Sequence, residues 1–430
     1  MISNSIQSCR EAIYRDLQQC RSGTFKLFTD IDYDTFCRQA HPDFSPVGWH
    51  LGHIAYTEDL WLLQRCAGLK PVFPEYHQLF AADILPKKQR VFLPTLPEVE
   101  CYLNAVRKKV LDYLEVAPID EQERLWRFII QHESQHCETV AFVLQMQRKK
   151  EEERGKNEEG RGKNEEGRTK KNAQFPMPHA PCPIPNLAIE IPGGEFYMGS
   201  DAAEALDNER SRHLCYLEAY SIDRYPVTCR QYRDFMESGG YQNPDWWSAD
   251  GWKWLQSAQV DRPLYWSENP AFNNHPVCGV SWYEAEAYCN FTGKRLPSEA
   301  EWEKAASWDA TNQTYHLYPW GKEQPNGTLC NHGNNIASTS PVDAYPKGAS
   351  AAGCCDMLGN VWEWTASTFD AYPGFESYPY RGYSQVYFDG EHRVLKGGSW
   401  ATFPQALRST FRNWYYPGVR QIIGGFRCAK

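Results

Sequence analysis

Two histidines, His132 and His136, lie four residues apart in a stretch, residues 121–147, whose apolar residues recur at spacings of three and four. On a helix both imidazoles project from one face, which is the usual way a helix offers two nitrogens to one ion. Gln135 flanks the same face and can point into such a site. Glu138 is rotated about 200° from His136 and is assigned a structural role. A third nitrogen has two sources in another helical stretch, residues 47–66, which carries His50 and His53. The competing reading is that all four are satisfied imidazoles of a core. Two histidine clusters on neighbouring bundle helices put an ion on an equal footing with that reading, because bundle cores are common metal sites. Three neutral imidazoles with open positions suit zinc or iron, and spacing does not choose between them.

The elements that must position these side chains follow from the same periodicity. Residues 6–20, 47–66, 96–114 and 121–147 each carry a helical pattern, and four such helices make an antiparallel bundle. Pro46 and Pro97 stand near two of the starts. Residues 68–92 are too rich in proline and aromatics for a simple turn, and long loops in compact domains are often functional. Residues 148–172 are almost entirely Lys, Glu, Arg, Gly and Asn, with Gly-Lys-Asn-Glu-Glu-Gly-Arg at 155–161 repeated at 162–168. Such a run buries too little apolar area to offset chain entropy, so a disordered tether is expected in preference to a charged binding tail. The expected divisions are a helical domain at 1–147, a linker at 148–184 and a second domain at 185–430. In the last, helices are expected at 282–291 and 299–307, among short strands and long loops.

The chain of 430 residues carries a net charge of −9, so a nucleic-acid partner, which needs a basic face, is not expected. Residues 1–18 lack the apolar core of a signal peptide, and no run approaches membrane-spanning length. The 15 cysteines include no C-x-x-C pair, and the adjacent Cys354 and Cys355 are poorly placed for an ordinary disulfide. A cytoplasmic protein with reduced thiols and no membrane partner is expected. Aromatic residues make up 14% of the chain, which implies either a loop-rich fold pinned by large side chains or an aromatic-lined pocket.

The sequence around the histidines resembles a known family. Ser-Pro-Val-Gly-Trp-His-Leu-Gly-His at 45–53, followed by Glu58-Asp59-Leu60-Trp61, is similar to the first metal motif of the sulfoxide synthases of ergothioneine and ovothiol biosynthesis. His-Glu-Ser-Gln-His-Cys-Glu at 132–138 is similar to their second, H-x-x-Q-H-x-E. The first part thus resembles a DinB-like four-helix bundle. The rest resembles the formylglycine-generating-enzyme, or sulfatase-modifying-factor, domain, a loop-rich C-type-lectin-like fold. The matching stretches are Ile-Pro-Gly-Gly-Glu-Phe-Tyr-Met-Gly at 191–199, Pro-Val-Cys-Gly-Val-Ser-Trp at 276–282 and Arg-Leu-Pro-Ser-Glu-Ala-Glu-Trp-Glu at 295–303. They continue with Asp-Met-Leu-Gly-Asn-Val-Trp-Glu-Trp at 356–364, Leu-Lys-Gly-Gly-Ser-Trp at 395–400 and Gly-Phe-Arg at 425–427. The resemblance covers nearly the whole chain outside the linker and implies an α+β protein.

It also implies a mononuclear non-haem iron, Fe(2+), held by His53, His132 and His136. His53 and not His50 matches the first ligand position; some relatives carry an acid where this chain has His50. Gln135 matches a glutamine that contacts the imidazole substrate. Asn413 and Trp414 match residues that hold the trimethylammonium and carboxylate end, where an aromatic face suits a quaternary ammonium. The implied reaction joins the imidazole of hercynine to the sulfur of cysteine with dioxygen, giving an imidazole sulfoxide. A catalytic tyrosine that delivers a proton and an electron is expected at Tyr380, with Tyr378 and Tyr383 as rivals and Tyr76 on the long bundle loop as another. Relatives that use γ-glutamylcysteine carry an acid after Asn-Trp and an extra arginine after the next proline. This chain has Tyr415 at the first position and Val419 before Arg420, so free cysteine is the expected donor, with Arg90 as the candidate for its carboxylate. Histidine in place of hercynine, or a selenium donor, keeps the chemistry and changes the substrate. A protein-cysteine oxidase is disfavoured because no cysteine follows Gly397-Gly398-Ser399 through Leu407. A non-catalytic binding protein is disfavoured by the intact histidines and Gln135.

Overall fold

The computed structural model describes residues 2–162, 185 and 187–430, and the chain divides into two compact units, Met1–Gln174 and Phe175–Lys430. In the first unit the periodic stretches form four long helices, α1 (Ile2–Leu27), α3 (Val47–Glu58), α5 (Leu96–Leu114) and α6 (Ile119–Gly162). Two short ones, α2 (Tyr33–Cys37) and α4 (His77–Phe80), lie in the connections. α6 packs on α1 and α3, and α5 packs on α3 and α1, closing the four-helix bundle. Pro97 occupies the first turn of α5, where the Thr95 N–H donates to the Glu98 carboxylate at 2.7 Å. Beyond Glu58 the helix widens into a π-helical run, Asp59–Cys66, with the Ala67 N–H donating to the Leu62 carbonyl at 3.0 Å.

α3 comes close to its neighbours because two of its residues have no side chain. A Cβ on Gly48 would lie 2.4 Å from the Phe36 ring of α2, and one on Gly52 would lie 2.1 Å from the Phe80 ring of α4. The centre of the bundle is charged. Arg21 of α1, Glu58 of α3, Arg107 of α5 and Glu133 of α6 are all buried. Arg21 reaches Glu133 at 2.7 Å and Glu58 at 2.8 Å, while Arg107 pairs with Glu58 and reaches Glu133 at 2.7 Å. The two guanidiniums hold the Glu133 carboxyl down at about 2, against the effect of burial.

Residues 148–162, expected as the start of a linker, instead belong to α6, which runs on to Gly162. Lys, Glu and Arg are strong helix formers, and this part of α6 is tied back to the bundle. The Lys150 ammonium donates to the Ala40 carbonyl at 2.6 Å, and Arg38 pairs with Glu151 at 2.7 Å. The rest of the expected linker, residues 163–184, lies outside the described residues.

In the second unit β1 (Ala188–Ile191) pairs with β4 (Tyr220–Asp223), β2 (Gly194–Met198) with β3 (His213–Leu217), and β5 (Trp308–Asp309) with β6 (Thr314–Tyr315). A four-stranded sheet of β7 (Trp362–Thr368), β8 (Arg393–Lys396), β9 (Asn413–Tyr415) and β10 (Gly424–Gly425) has the order β10-β7-β8-β9. The helices are α7 (Cys229–Glu237), α8 (Ala249–Ala258), α9 (Trp282–Phe291) and α10 (Glu299–Ser307). α9 and α10 begin with reciprocal caps, Ser281 with Glu284 and Ser298 with Glu301. The motifs singled out in the sequence supply the buried charges that knit these loops together. Glu363 of β7 takes two hydrogen bonds from Arg427, at 2.6 and 2.7 Å, and one from the Trp302 indole at 2.8 Å. Glu299 holds Arg412 at 2.7 Å, and Lys396 reaches Glu303 at 2.9 Å. No helix among the described residues is long and apolar enough to cross a membrane.

Arg107→Met keeps the volume of the bundle centre and leaves two carboxylates facing one cation. The helical unfolding transition in urea, followed by circular dichroism, should lose about 3–5 kcal/mol of stability.

Candidate metal centre

The first unit brings His53, His132 and His136 together. One ring nitrogen from each lies within 4.8 Å of the others. α6 carries two of them on one face, and the His132 and His136 Nε2 atoms are 3.1 Å apart. α3 carries the third. The His53 Nδ1–H donates to the Phe80 carbonyl at 2.6 Å, which leaves Nε2 with the free lone pair. Trp49 stacks on the His53 ring at 4.7 Å and 12°. The Arg90 guanidinium sits 4.0 Å from the Trp49 ring centre.

Burial keeps these imidazoles neutral. It lowers His53 to about 4, and His132 and His136 fall well below the ordinary value, with the neighbouring histidines adding to the effect. Neutral lone pairs brought together from two buried rings and the half-buried His136 are what a borderline divalent ion requires of its ligands, so the donor set fits a metal. His50 stands apart from this set. Its Nδ1 faces His136 Nδ1 at 2.8 Å, on the far side of the ring from Nε2.

Around this centre, Gln135 is half-buried beside His136, and Glu138 is buried. Arg90 is not a solvated charge, being only 6% exposed. Its N–H groups donate to the Leu85 carbonyl at 2.9 Å, the Ser45 hydroxyl at 3.1 Å and the Ala82 carbonyl at 2.5 Å. Tyr76 stacks on Phe73 at 5.6 Å and meets Phe80 and Tyr102 edge-on. Three contributors were not anticipated: the Phe80 carbonyl, the Trp49 ring and Tyr56, whose ring stacks on His53 at 6.0 Å. Trp49 and Tyr56 lie four residues before and three after His53 on α3, a spacing the sequence does display.

The remaining candidates belong to the second unit, where they form an aromatic cluster. Trp414 of β9 stacks on Phe369 at 4.2 Å and 8°, so one of its faces is covered. Tyr383 meets Trp414 edge-on at 6.0 Å, and Tyr380 meets Tyr383 at 6.4 Å. Tyr383 is buried, whereas Tyr380 is 40% exposed. The Tyr378 N–H donates to Asp207 at 3.2 Å. The Asn413 side-chain oxygen accepts the Trp414 N–H at 2.9 Å, and Tyr415 pairs across β8 with Arg393.

Comparison with known proteins bears on both units. The sulfatase-modifying factor enzyme 1-like domain matches residues 174–430, and the DinB superfamily matches residues 16–140. The hercynine oxygenase of Mycolicibacterium smegmatis is 37% identical over 98% of this chain and 99% of its own length. That of Mycobacterium tuberculosis is 39% identical over 96% and 97%. The chain belongs to the hercynine oxygenase family. The mouse protein named inactive C-alpha-formylglycine-generating enzyme 2 is 32% identical over 56% of this chain and 84% of its own. Sharing a fold with a protein so named leaves the chemistry to be argued from the site.

Two outcomes are expected. Because the three imidazoles are already neutral, cobalt(II) affinity measured by competition with a chelator should be nearly flat between about pH 6 and about pH 7.5. A loss of more than about tenfold toward the lower pH would mean that the ligands carry protons in the metal-free protein. Gly52→Ala drives the Phe80 ring from α3 and moves the carbonyl that orients His53. It should cost about 1–3 kcal/mol of stability and weaken cobalt(II) binding about tenfold.

Proposed function

We propose that this chain is an iron(II)-dependent, dioxygen-consuming sulfoxide synthase that joins the imidazole of hercynine to the sulfur of cysteine. The observation that carries this reading is the convergence of His53, His132 and His136 in a chain related end to end to hercynine oxygenases. The histidines hold the ion, and the ion supplies the redox chemistry with dioxygen that forms the carbon–sulfur bond. Gln135, one residue before His136, contacts the imidazole of the substrate. Asn413 and Trp414 take the trimethylammonium and carboxylate end, where a π face attracts a cation that cannot donate a hydrogen bond. Tyr380 delivers the proton and the electron in this reading; of the three tyrosines of its loop it is the one that both joins the aromatic cluster and is 40% exposed as a residue.

Arg90 serves the thiol substrate's carboxylate or, through Trp49, the placement of His53; its burial and stacking support the second role more directly. Tyr415 in place of an acid supports cysteine over γ-glutamylcysteine. The described cysteines are free thiols, which suits a cytoplasmic enzyme.

Protein purified without oxygen should carry about one iron per chain, and His136→Ala should lose both iron and turnover. Oxygen consumption with hercynine and cysteine should exceed that with hercynine and γ-glutamylcysteine, and that with histidine and cysteine. A clear preference for the dipeptide would overturn the donor assignment, and a preference for histidine would overturn the acceptor assignment.

A further inference from the structure

We propose that His50 is a positioning residue of the metal centre, accepting the Nδ1–H of His136 and thereby fixing which nitrogen His136 presents to the ion. This rests on the ligand role of His136 given above. A neutral imidazole has one N–H and one lone pair. His136 Nε2 faces His132 Nε2 at 3.1 Å, on the side where the ligand nitrogens converge. With Nε2 as the ligand, the ring proton of His136 must sit on Nδ1. Its partner there is His50 Nδ1, 2.8 Å away, with the two rings 5.1 Å apart and tilted by 43°.

The opposite arrangement has a different consequence. Were His50 to donate, the proton of His136 would move to Nε2 and close that nitrogen to a metal. The pair therefore selects the tautomer of a ligand, as the Phe80 carbonyl does for His53. His50 is well placed to do so. It is buried, Trp49 meets its ring edge-on at 5.4 Å, and it precedes His53 by three residues on α3. One helix thus supplies both a ligand and the group that orients a ligand of another helix.

The test uses the full chain with cobalt(II) as the probe. His50→Asn places an amide oxygen near the position of the lost Nδ1 and can accept the same N–H, whereas His50→Leu cannot. Cobalt(II) affinity should fall about 10–100-fold in His50→Leu and stay within about threefold of the parent in His50→Asn. Proton spectra of the cobalt(II) protein in water should show the shifted His136 ring N–H in the parent and in His50→Asn. In His50→Leu it should vanish by exchange. Should His50→Leu not fold, His50→Gln makes the same comparison, since its amide reaches past the Nδ1 position and should lose affinity and signal alike. Unchanged affinity in His50→Leu or His50→Gln, or equal losses in His50→Asn and His50→Gln, would overturn the proposal. His136→Ala separates the two readings: if it binds cobalt(II) like the parent, the ligand role of His136 fails, whatever the His50 variants do.

Discussion

Two carboxylates and two guanidiniums share one buried site in the bundle, and each comes from a different long helix. Buried ion pairs are weak evidence for stability, because desolvation offsets much of their attraction. Their value here lies in register. Glu58 follows His53 by five residues, and Glu133 is the residue after His132. Both carboxylates grip the same two arginines, so α3 and α6 cannot slide past each other without leaving a charge unpaired. Fixing those two helices fixes the histidines they carry. A bundle held only by apolar contacts would tolerate small shifts along the helix axes, and a ligand set tolerates very little.

The second unit solves a related problem by similar means. Its regular structure is sparse, and much of its chain is loop. Glu363, Glu299, Glu303 and Glu209 each bind a buried cation. A carboxylate that accepts several donors fixes loop segments distant in sequence to one point, as Glu363 does for Trp302 and Arg427. Trp414 is carried by the strand that follows directly after Arg412, so the aromatic cluster inherits the rigidity of that ion pair.

Local signals made much of this legible in the sequence. Helices at 96–114, 282–291 and 299–307 are bounded by Pro97, Ser281 with Glu284, and Ser298 with Glu301, and the observed elements keep those limits. The histidine pair on α6 was readable from its spacing, because helix geometry dictates which residues share a face. What spacing does not encode is the partner on the other side. The role of the Phe80 carbonyl depends on how a long loop returns to α3, and the closeness of that return depends on Gly52. The extension of α6 was hidden for a similar reason. Residues 148–162 look like a tether by composition, yet Lys150 and Glu151 find partners only once α2 and its flanks are folded beside them. The acidic and basic residues of the second unit's motifs stood out as a pattern, but nothing in that pattern says which cation meets which anion.

The π-helical run after Glu58 adds a point about how the chain can change. A π turn behaves as an α-helix carrying one residue too many. His53 and Glu58 lie before it, and the long loop toward Phe80 begins after it, with Asp59 accepting the Val72 N–H at 2.9 Å across the junction. The widened turn therefore acts as an expansion joint. Residues gained or lost downstream can be taken up there as a change of winding, while the upstream stretch keeps its angular phase. A change in the length of the loop on that side leaves the angular phase of His53 on α3 as it is.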